Sequence, residues 1–498
     1  MTSPLAPSLS GLFAFDNTYA RDLQGFYAPW QPTAVPTPHL LILNEALGQE
    51  LGLDTGWFGT PEGLAVLAGN TVPAGAAPLA QAYAGHQFGH FSPQLGDGRA
   101  LLLGEVLDRH GQRRDIALKG SGRTPFSRRG DGKCALGPAL REYLVGQAMA
   151  VLGIPTTQTL AVVASGDTVQ RDRPLPGAVL TRVAASHLRI GTFEFFAAHR
   201  GAEAVRQLAD YAIARHYPEI QGRESPYVAF LEGVARRQAD LVARWLGVGF
   251  IHGVMNTDNM SISGETIDYG PCAFMEAYHP NAVFSSIDTE GRYAYGRQGG
   301  IARWNLTRLA EALLPLLDAD EDRAVEAANR ILESFPGWLE ERWLAVFRAK
   351  LGLDPLGDFD DDRMLVRDFL DLLKVARCDF TLGFRALCDE VRGQSGALEA
   401  RVGSAAVVEA WKQRWQRRRG GKGGISLAAM HRANPCYIPR NQRVEEVLEA
   451  AVERGDLGPF RRLEGVLAQP WEERCGDESY AQPAPAAFTS AYQTFCGT

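Results

Sequence analysis

No run of apolar residues in this 498-residue chain approaches the length needed to cross a bilayer as a helix, so no membrane span is expected. Cysteine is scarce and unpatterned. The seven cysteines (Cys134, Cys272, Cys378, Cys388, Cys436, Cys475 and Cys496) are odd in number and lack CxxC spacing. That argues against a structural zinc and for a reducing compartment. A basic surplus is also missing. The 51 Lys and Arg face 58 Asp and Glu, a net charge of −7, so bulk electrostatics favour neither nucleic acid nor an anionic membrane. The first twenty residues have no basic segment ahead of an apolar one and contain Asp16; no export signal is expected, and the cytoplasm is the expected location. No internal repeat is present. What remains is an ordinary globular composition, 45% hydrophobic and 22% charged, with length for several domains or for a bilobal enzyme with extensions.

Residues 1–38, rich in Pro, Ser and aromatics, read as an irregular arm lying on a folded body. Leu40, Leu41, Leu43, Leu47 and Leu51 have helical spacing, so a helix is expected over 39–53. Residues 54–80 read as loop with a short helix. In the stretch Gln81–His90, His86 and His90 stand four apart, a spacing that suits a metal on a helix. Gly85 and Gly89 would break that helix, and packing under a loop is the expected role. Strands are expected over 159–163 and 177–181. Helices are expected over 202–216, 226–246, 301–318, 320–334, 337–351, 360–375, 397–418, 443–454 and 458–468. The stretch 411–424, WKQRWQRRRGGKGG, reads as a helix end gathering cations against its dipole and stopping at Gly, rather than as a nucleic-acid contact. The tail from Pro483 is expected to be poorly ordered.

Chemistry concentrates in three places. The first is Leu95-Gly-Asp-Gly-Arg99 running into a strand. Backbone N–H groups at Gly96 and Gly98, with the charge of Arg99, can approach phosphates, although a plain hairpin turn fits the same residues. The second is Lys119 at the end of a short apolar strand, followed by a cationic Gly-rich loop that holds Asp131 and Gly132. Pro138 then opens an expected helix with Glu142 in its first turn. There Glu142 can pair with Lys119 or simply favour the helix dipole. Arg182 and Arg189 flank a small-residue stretch and can face one pocket, or lie on the surface. The third place is His252-Gly-Val-Met-Asn-Thr-Asp-Asn259, with Ile267-Asp-Tyr-Gly270 after it. An Asn and an Asp offer hard oxygen ligands of the kind Mg²⁺ takes beside phosphates. The spacing is that of a kinase-like catalytic loop and metal loop. The position that carries the base in small-molecule kinases is Val254, which can neither orient nor deprotonate a hydroxyl. The stretch 284–295 lies where a gating loop would be, and its hydroxyls are possible self-modification sites.

Three stretches, AYAGHQFGHFSPQLGDGRALLLGEV, DIALKGSGRTPFSRRGDGKCALGPALREYL and HGVMNTDNMSISGETIDYGPCAF, closely resemble the selenoprotein O family, and the resemblance runs through roughly residues 10 to 445. It implies an α+β, bilobal protein-kinase-like fold with a mainly β N-lobe (81–185), a helical C-lobe core (186–335), an N-terminal extension (1–80) and a helical C-terminal extension and tail (336–498). It implies a protein adenylyltransferase: ATP bound in inverted orientation and AMP moved to protein Ser, Thr or Tyr hydroxyls. On this resemblance Gly96, Gly98 and Arg99 match the first nucleotide-contacting turn. Lys119 matches the nucleotide-binding lysine, with Glu142 as its partner, and Asp131 and Gly132 match the Gly-rich loop. Arg182 and Arg189 match the phosphate-binding arginines. Asn259 and Asp268 match the ligands of Mg²⁺ or Mn²⁺, and Asp258 matches the proton acceptor, a weak base if it stands beside a metal. Cys496 takes the near-terminal place held by selenocysteine in animal members and by Cys in bacterial ones. It is read either as a redox handle reaching Cys272 or as an inert thiol.

The expected partners are ATP and hydroxyl-bearing proteins, the chain itself included, with no nucleic acid and no membrane; a self-sufficient fold is expected to be a monomer. Two other readings stay open: a kinase-like phosphotransferase, against which Val254 counts, and an inactive ATP-binding scaffold or redox sensor, against which Lys119, Asn259 and Asp268 count.

Overall fold

The computed structural model describes residues 13–356, 358–403, 405–420 and 424–495. Twelve strands lie among the described residues up to 274: β1 Tyr27–Pro29, β2 His39–Leu43, β3 Leu79–Gln81, β4 Gly85–Gln87, β5 His90–Ser92, β6 Ala100–Leu107, β7 Arg113–Lys119, β8 Cys134–Ala135, β9 Gln158–Gln170, β10 Pro174–Ala184, β11 Phe250–Ile251 and β12 Ala273–Phe274. The main sheet runs β1-β3-β6-β7-β10-β9-β2, with β8 added against β10. Every pairing in it is antiparallel. Helices make up most of the chain after Ile190. The molecule is therefore mixed α and β, with its antiparallel sheet towards the N-terminus. No described helix is long and apolar enough to cross a membrane.

Alternation along β7 decides which residues meet the site. Ile116 and Leu118 point to one face and pack with Leu47, Leu51, Phe58, Val66 and Leu67. Ala117 and Lys119 point to the other. There Ala117 pairs with Arg182 and Lys119 with Leu180. Lys119 and Arg182 are thus diagonal neighbours on one face. The helix Leu136–Val151 covers that face with Leu140, Tyr143 and Leu144, which pack onto Val162 and Leu180. C-terminal helices Asn441–Arg454 and Gly458–Leu467 close the same layer through Val447, Leu448 and Phe460. Two helical cores lie beyond. One joins Phe193, Phe230, Leu309 and Phe335, and the other Phe347, Phe369, Phe384, Trp411 and Trp415.

The structure departs from several sequence expectations. Residues 39–43 are a strand, not a helix: Leu40 and Ile42 pair with Val163 and Val162 of β9, and Asn44 caps the helix Glu45–Glu50 only afterwards. The helix after the Gly-rich loop opens at Leu136, so Glu142 lies beyond its first turn and the dipole reading of Glu142 falls. The helices expected over 320–334 and 337–351 are one helix, Glu321–Leu351, with Pro336 inside. Phe335, Leu344 and Phe347, buried on both sides of the proline, hold it. Ile190–Arg200 and Phe380–Arg392 are helices that the apolar spacing did not single out. The tail expected to be loose packs down: Thr494 donates its hydroxyl to Pro271 O at 2.6 Å, and Tyr492 OH reaches Glu445 at 2.8 Å. Cys496 lies outside the described residues. Three cations of the 411–424 stretch are held by acids, Lys412 by Glu390 and Glu399, Arg414 by Asp368 and Arg418 by Asp362. In the 284–295 stretch, Ser285, Tyr293 and Tyr295 are buried, which leaves Ser286 and Thr289 as its more accessible hydroxyls.

Candidate functional site

A cavity of about 610 Å³ opens between the sheet end and the helical body. Gly96, Gly98, Arg99, Lys119, Asp131, Gly132, Arg182, Arg189, Asp258, Asn259 and Asp268 all line it. Glu142 alone of the expected residues stands behind the wall.

Its role there is clear from its contacts. Glu142 sits between two cations: Oε2 accepts from Lys119 Nζ at 2.5 Å and Oε1 from Arg182 Nε at 2.7 Å. Lys119 Nζ also donates to Asp268 Oδ1 at 2.9 Å. Four side chains from two strands, one helix and one loop thus form a buried network with balanced charge. Burial pushes the Glu142 carboxyl up, but Arg182 and Lys119 outweigh it and hold it below its ordinary range. Asp268 behaves likewise: burial opposes its charge, and Lys119, Arg99 and Arg182 keep it well below the usual carboxylate range. Asp268 takes a backbone φ of +68°, a left-handed value rare for a residue with a Cβ.

Across the cavity, Thr257–Asn259 form a single 3₁₀ turn. Asn259 donates its amide to Val254 O at 3.0 Å, which leaves its carbonyl oxygen as the acceptor. Asp258 is buried, and its Oδ1 has no hydrogen-bond partner. Burial raises its carboxyl to about 6, against the pull of Arg189. Asp258 is therefore a stronger base than a solvated aspartate. Arg189 lies over the Tyr83 ring at 4.3 Å and donates to the Asp258 carbonyl at 3.2 Å.

Sequence reasoning passed over three lining residues. Tyr83 holds the Arg189 guanidinium from the β3–β4 connection. Asp97, between the two glycines of the turn, accepts from Gln81 N at 2.9 Å and stands 3.8 Å from Arg189. Its position inside the Gly-x-Gly turn was the available signal. Arg171 clamps Asp131 with two hydrogen bonds, at 2.9 and 3.2 Å. Asp131 is thus a brace for its loop. Gly96 and Gly132 both have positive φ, and each packs so tightly that a Cβ would strike the Phe126 ring or the Gly122 carbonyl. Of the paired histidines, His86 is engaged by Glu194 and His90 is exposed on β5.

The donor set suits a polyphosphate with a divalent ion: cations for the phosphates, and one amide and one carboxylate oxygen for the metal. Enzymes that transfer phosphorylated groups use sites of this class. The chain belongs to the SelO family: the family profile described as protein adenylyltransferase SelO matches residues 12–468. It is 60% identical over 487 residues to the protein nucleotidyltransferase YdiU of Cereibacter sphaeroides, covering 98% of this chain and all of that one. The proteins of the same name from Rhodopseudomonas palustris and Chromobacterium violaceum are each 56% identical, over 98% and 95% of this chain and 99% of theirs. The chain is an enzyme, a nucleotidyltransferase.

Proposed function

We propose that this nucleotidyltransferase moves AMP from ATP to hydroxyl groups of proteins, releasing pyrophosphate, on a bilobal kinase-like frame. The lobes are 81–185 and 186–335, with the extensions 1–80, which lends β1, β2 and most of β3 to the sheet of the first lobe, and 336–498. The observation that carries the reading is the placement of Asp258. It lines the same cavity as Lys119, Arg182 and Arg189, while the position of the usual kinase base is the buried, apolar Val254. Small-molecule kinases of this fold carry their base at the position of Val254, which cannot take a proton, and this counts against a phosphotransferase. An inactive scaffold would have no need of a buried aspartate with an unsatisfied oxygen beside a cationic cavity.

The residues divide the work. Lys119, Arg182, Arg189 and Arg99 bind the phosphates and hold the negative charge that collects on the leaving pyrophosphate. Glu142 fixes Lys119 and Arg182, and Asp131, Gly132, Gly96 and Gly98 shape the loops over the nucleotide. Asn259 and Asp268 would hold Mg²⁺ or Mn²⁺, which when bound supplies further neutralisation of phosphate charge. The acceptor oxygen attacks the α-phosphorus, and a new O–P bond forms as the bond to the β-phosphate oxygen breaks. Asp258 takes the hydroxyl proton. Ser286 and Thr289 are the accessible hydroxyls of the 284–295 stretch for self-modification.

The test is pyrophosphate release from ATP with a panel of acceptor proteins, for wild type, Asp258→Asn and Asn259→Ala across Mg²⁺ and Mn²⁺ concentrations. Pyrophosphate accompanied by AMP-bearing protein, lost in Asp258→Asn and shifted to higher metal concentration in Asn259→Ala, is expected. Release of ADP with phosphate-bearing protein would overturn the reading.

A further inference from the structure

The Asp258 turn is held from behind by groups that, Arg189 apart, do not line the cavity. Thr257, fully buried, donates its hydroxyl to Glu194 Oε2 at 2.5 Å and accepts the His86 N–H at 2.7 Å. The other Glu194 oxygen, Oε1, is bonded to His86 Nδ1. The His86 ring is fixed in turn by Phe91, with centroids 5.0 Å apart, and by the edge of Trp304 at 5.2 Å. Glu194 belongs to the helix Ile190–Arg200, and Arg189 at its N-terminal cap position donates to the Asp258 carbonyl. On the remaining side β4 presses directly against the carboxylate: a Cβ on Gly85 would lie 2.5 Å from Asp258 Oδ1.

These contacts join three segments distant in sequence at one turn. The helix grips the turn by a carboxylate on Thr257 and a guanidinium on the Asp258 carbonyl, and β4 supplies both a backbone donor and a flat glycine wall. Neither Glu194, His86 nor Thr257 touches the space where a ligand would sit. A hydroxyl buried to this depth and shared between a carboxylate and a backbone amide does not rotate freely. Losing it leaves the turn tied at fewer points.

We infer that Glu194, His86 and Thr257 are positioning residues: a carboxylate–histidine–threonine brace that fixes the Asp258 turn relative to the phosphate-binding wall. The inference rests on the reading of Asp258 as proton acceptor. It predicts a divided effect. The wall of Lys119, Glu142, Arg182 and Asp268 has its own contacts and is independent of the brace. Breaking the brace therefore slows turnover and leaves in place the nucleotide contacts of that wall, while Asn259, which shares the turn, raises the metal concentration required. A displacement of a reacting group by about 1 Å can cost on the order of 100-fold in rate.

The experiment compares Thr257→Val, which keeps the shape and removes the hydroxyl, with Thr257→Ser, which keeps the hydroxyl, in the full chain. Glu194→Gln and Asp258→Asn complete the set. The readouts, all at saturating Mg²⁺, are kcat and the KM for ATP from pyrophosphate release, ATP affinity by calorimetry, and amide hydrogen exchange over residues 256–259. Thr257→Val and Glu194→Gln are expected to lose about 10- to 100-fold in kcat with KM and affinity within about twofold of wild type. Faster exchange over 256–259 should accompany that loss. Thr257→Ser should restore both kcat and protection. Wild-type kcat and exchange in Thr257→Val would overturn the brace, and so would a parallel loss of ATP affinity or an equal loss in Thr257→Ser. Asp258→Asn separates the two claims. If it retains kcat, the proton-acceptor reading fails. If it is inactive while Thr257→Val is unimpaired, only the brace fails.

Discussion

Replacing Glu142 with Gln tests whether the wall behind the cavity is an electrostatic unit. The four charges of Lys119, Arg182, Glu142 and Asp268 balance, and the Glu142, Lys119 and Arg182 side chains are at most 9% exposed. Gln keeps the shape and one acceptor but removes the anion, which leaves a net buried positive charge. Removing one partner of a buried pair costs about 3–5 kcal/mol. Asp268 remains on Lys119 at 2.9 Å, so the lower end applies, about 3 kcal/mol. For a chain of this length that corresponds to a fall of roughly 3 °C in Tm. The pH dependence has a definite sign. The folded Glu142 carboxyl titrates below its ordinary value, so its contribution is fully present above the unfolded carboxyl value of about 4.3 and is lost as pH falls through the lower folded value. Urea unfolding followed by circular dichroism at pH 7 and at stepped lower pH measures both. A variant as stable as wild type at pH 7, or a stability gap that stays constant into acid, would refute the reasoning.

Two further outcomes follow from buried groups elsewhere. Lys350 is buried, lies 4.5 Å from the Phe384 ring centroid, and donates to Ala433 O at 3.2 Å; burial lowers its ammonium to about 7. The unfolded lysine keeps its proton up to about 10.4, so wild-type stability should rise between pH 7 and 10 as the folded state sheds the charge. Lys350→Met should stabilise the protein by a few kcal/mol at pH 6 and flatten that rise, as urea titrations would show. Gly85→Ala should push Asp258 aside by contact with its Oδ1 and reduce turnover more than about tenfold, with ATP affinity unchanged by calorimetry.

The sequence showed the site more clearly than its supports. Gly96, Arg99, Lys119, Asn259 and Asp268 sit in short motifs whose glycines and charges mark a candidate site, and the structure brings them into one cavity. The residues that position them do not announce themselves. Glu194 reaches Thr257 from 63 positions away and Tyr83 meets Arg189 from the far side of the main sheet strands β6 to β10 in sequence, so no local spacing reveals either. Secondary structure follows the same division. Helices 202–216 and 226–247 were legible because each carries its own apolar stripe. The strand 39–43 was not, because its apolar residues fit a helix as well as a sheet edge and its partner lies 120 residues on. Pro336 read as a break because local propensity says so, whereas packing on both sides carries the helix through it. The helix Phe380–Arg392 had a usable signal, Asp379 capping Leu382 N at 2.8 Å and Gly393 at its end.

The central claim is that the α-phosphorus of ATP, not the γ, is transferred. Incubation with ATP labelled at one or the other phosphate, with Mg²⁺ or Mn²⁺ and acceptor proteins, compares wild type with Asp268→Ala. Protein labelled from the α-position only, and unlabelled in Asp268→Ala, is the predicted result. Protein labelled from the γ-position would contradict the account.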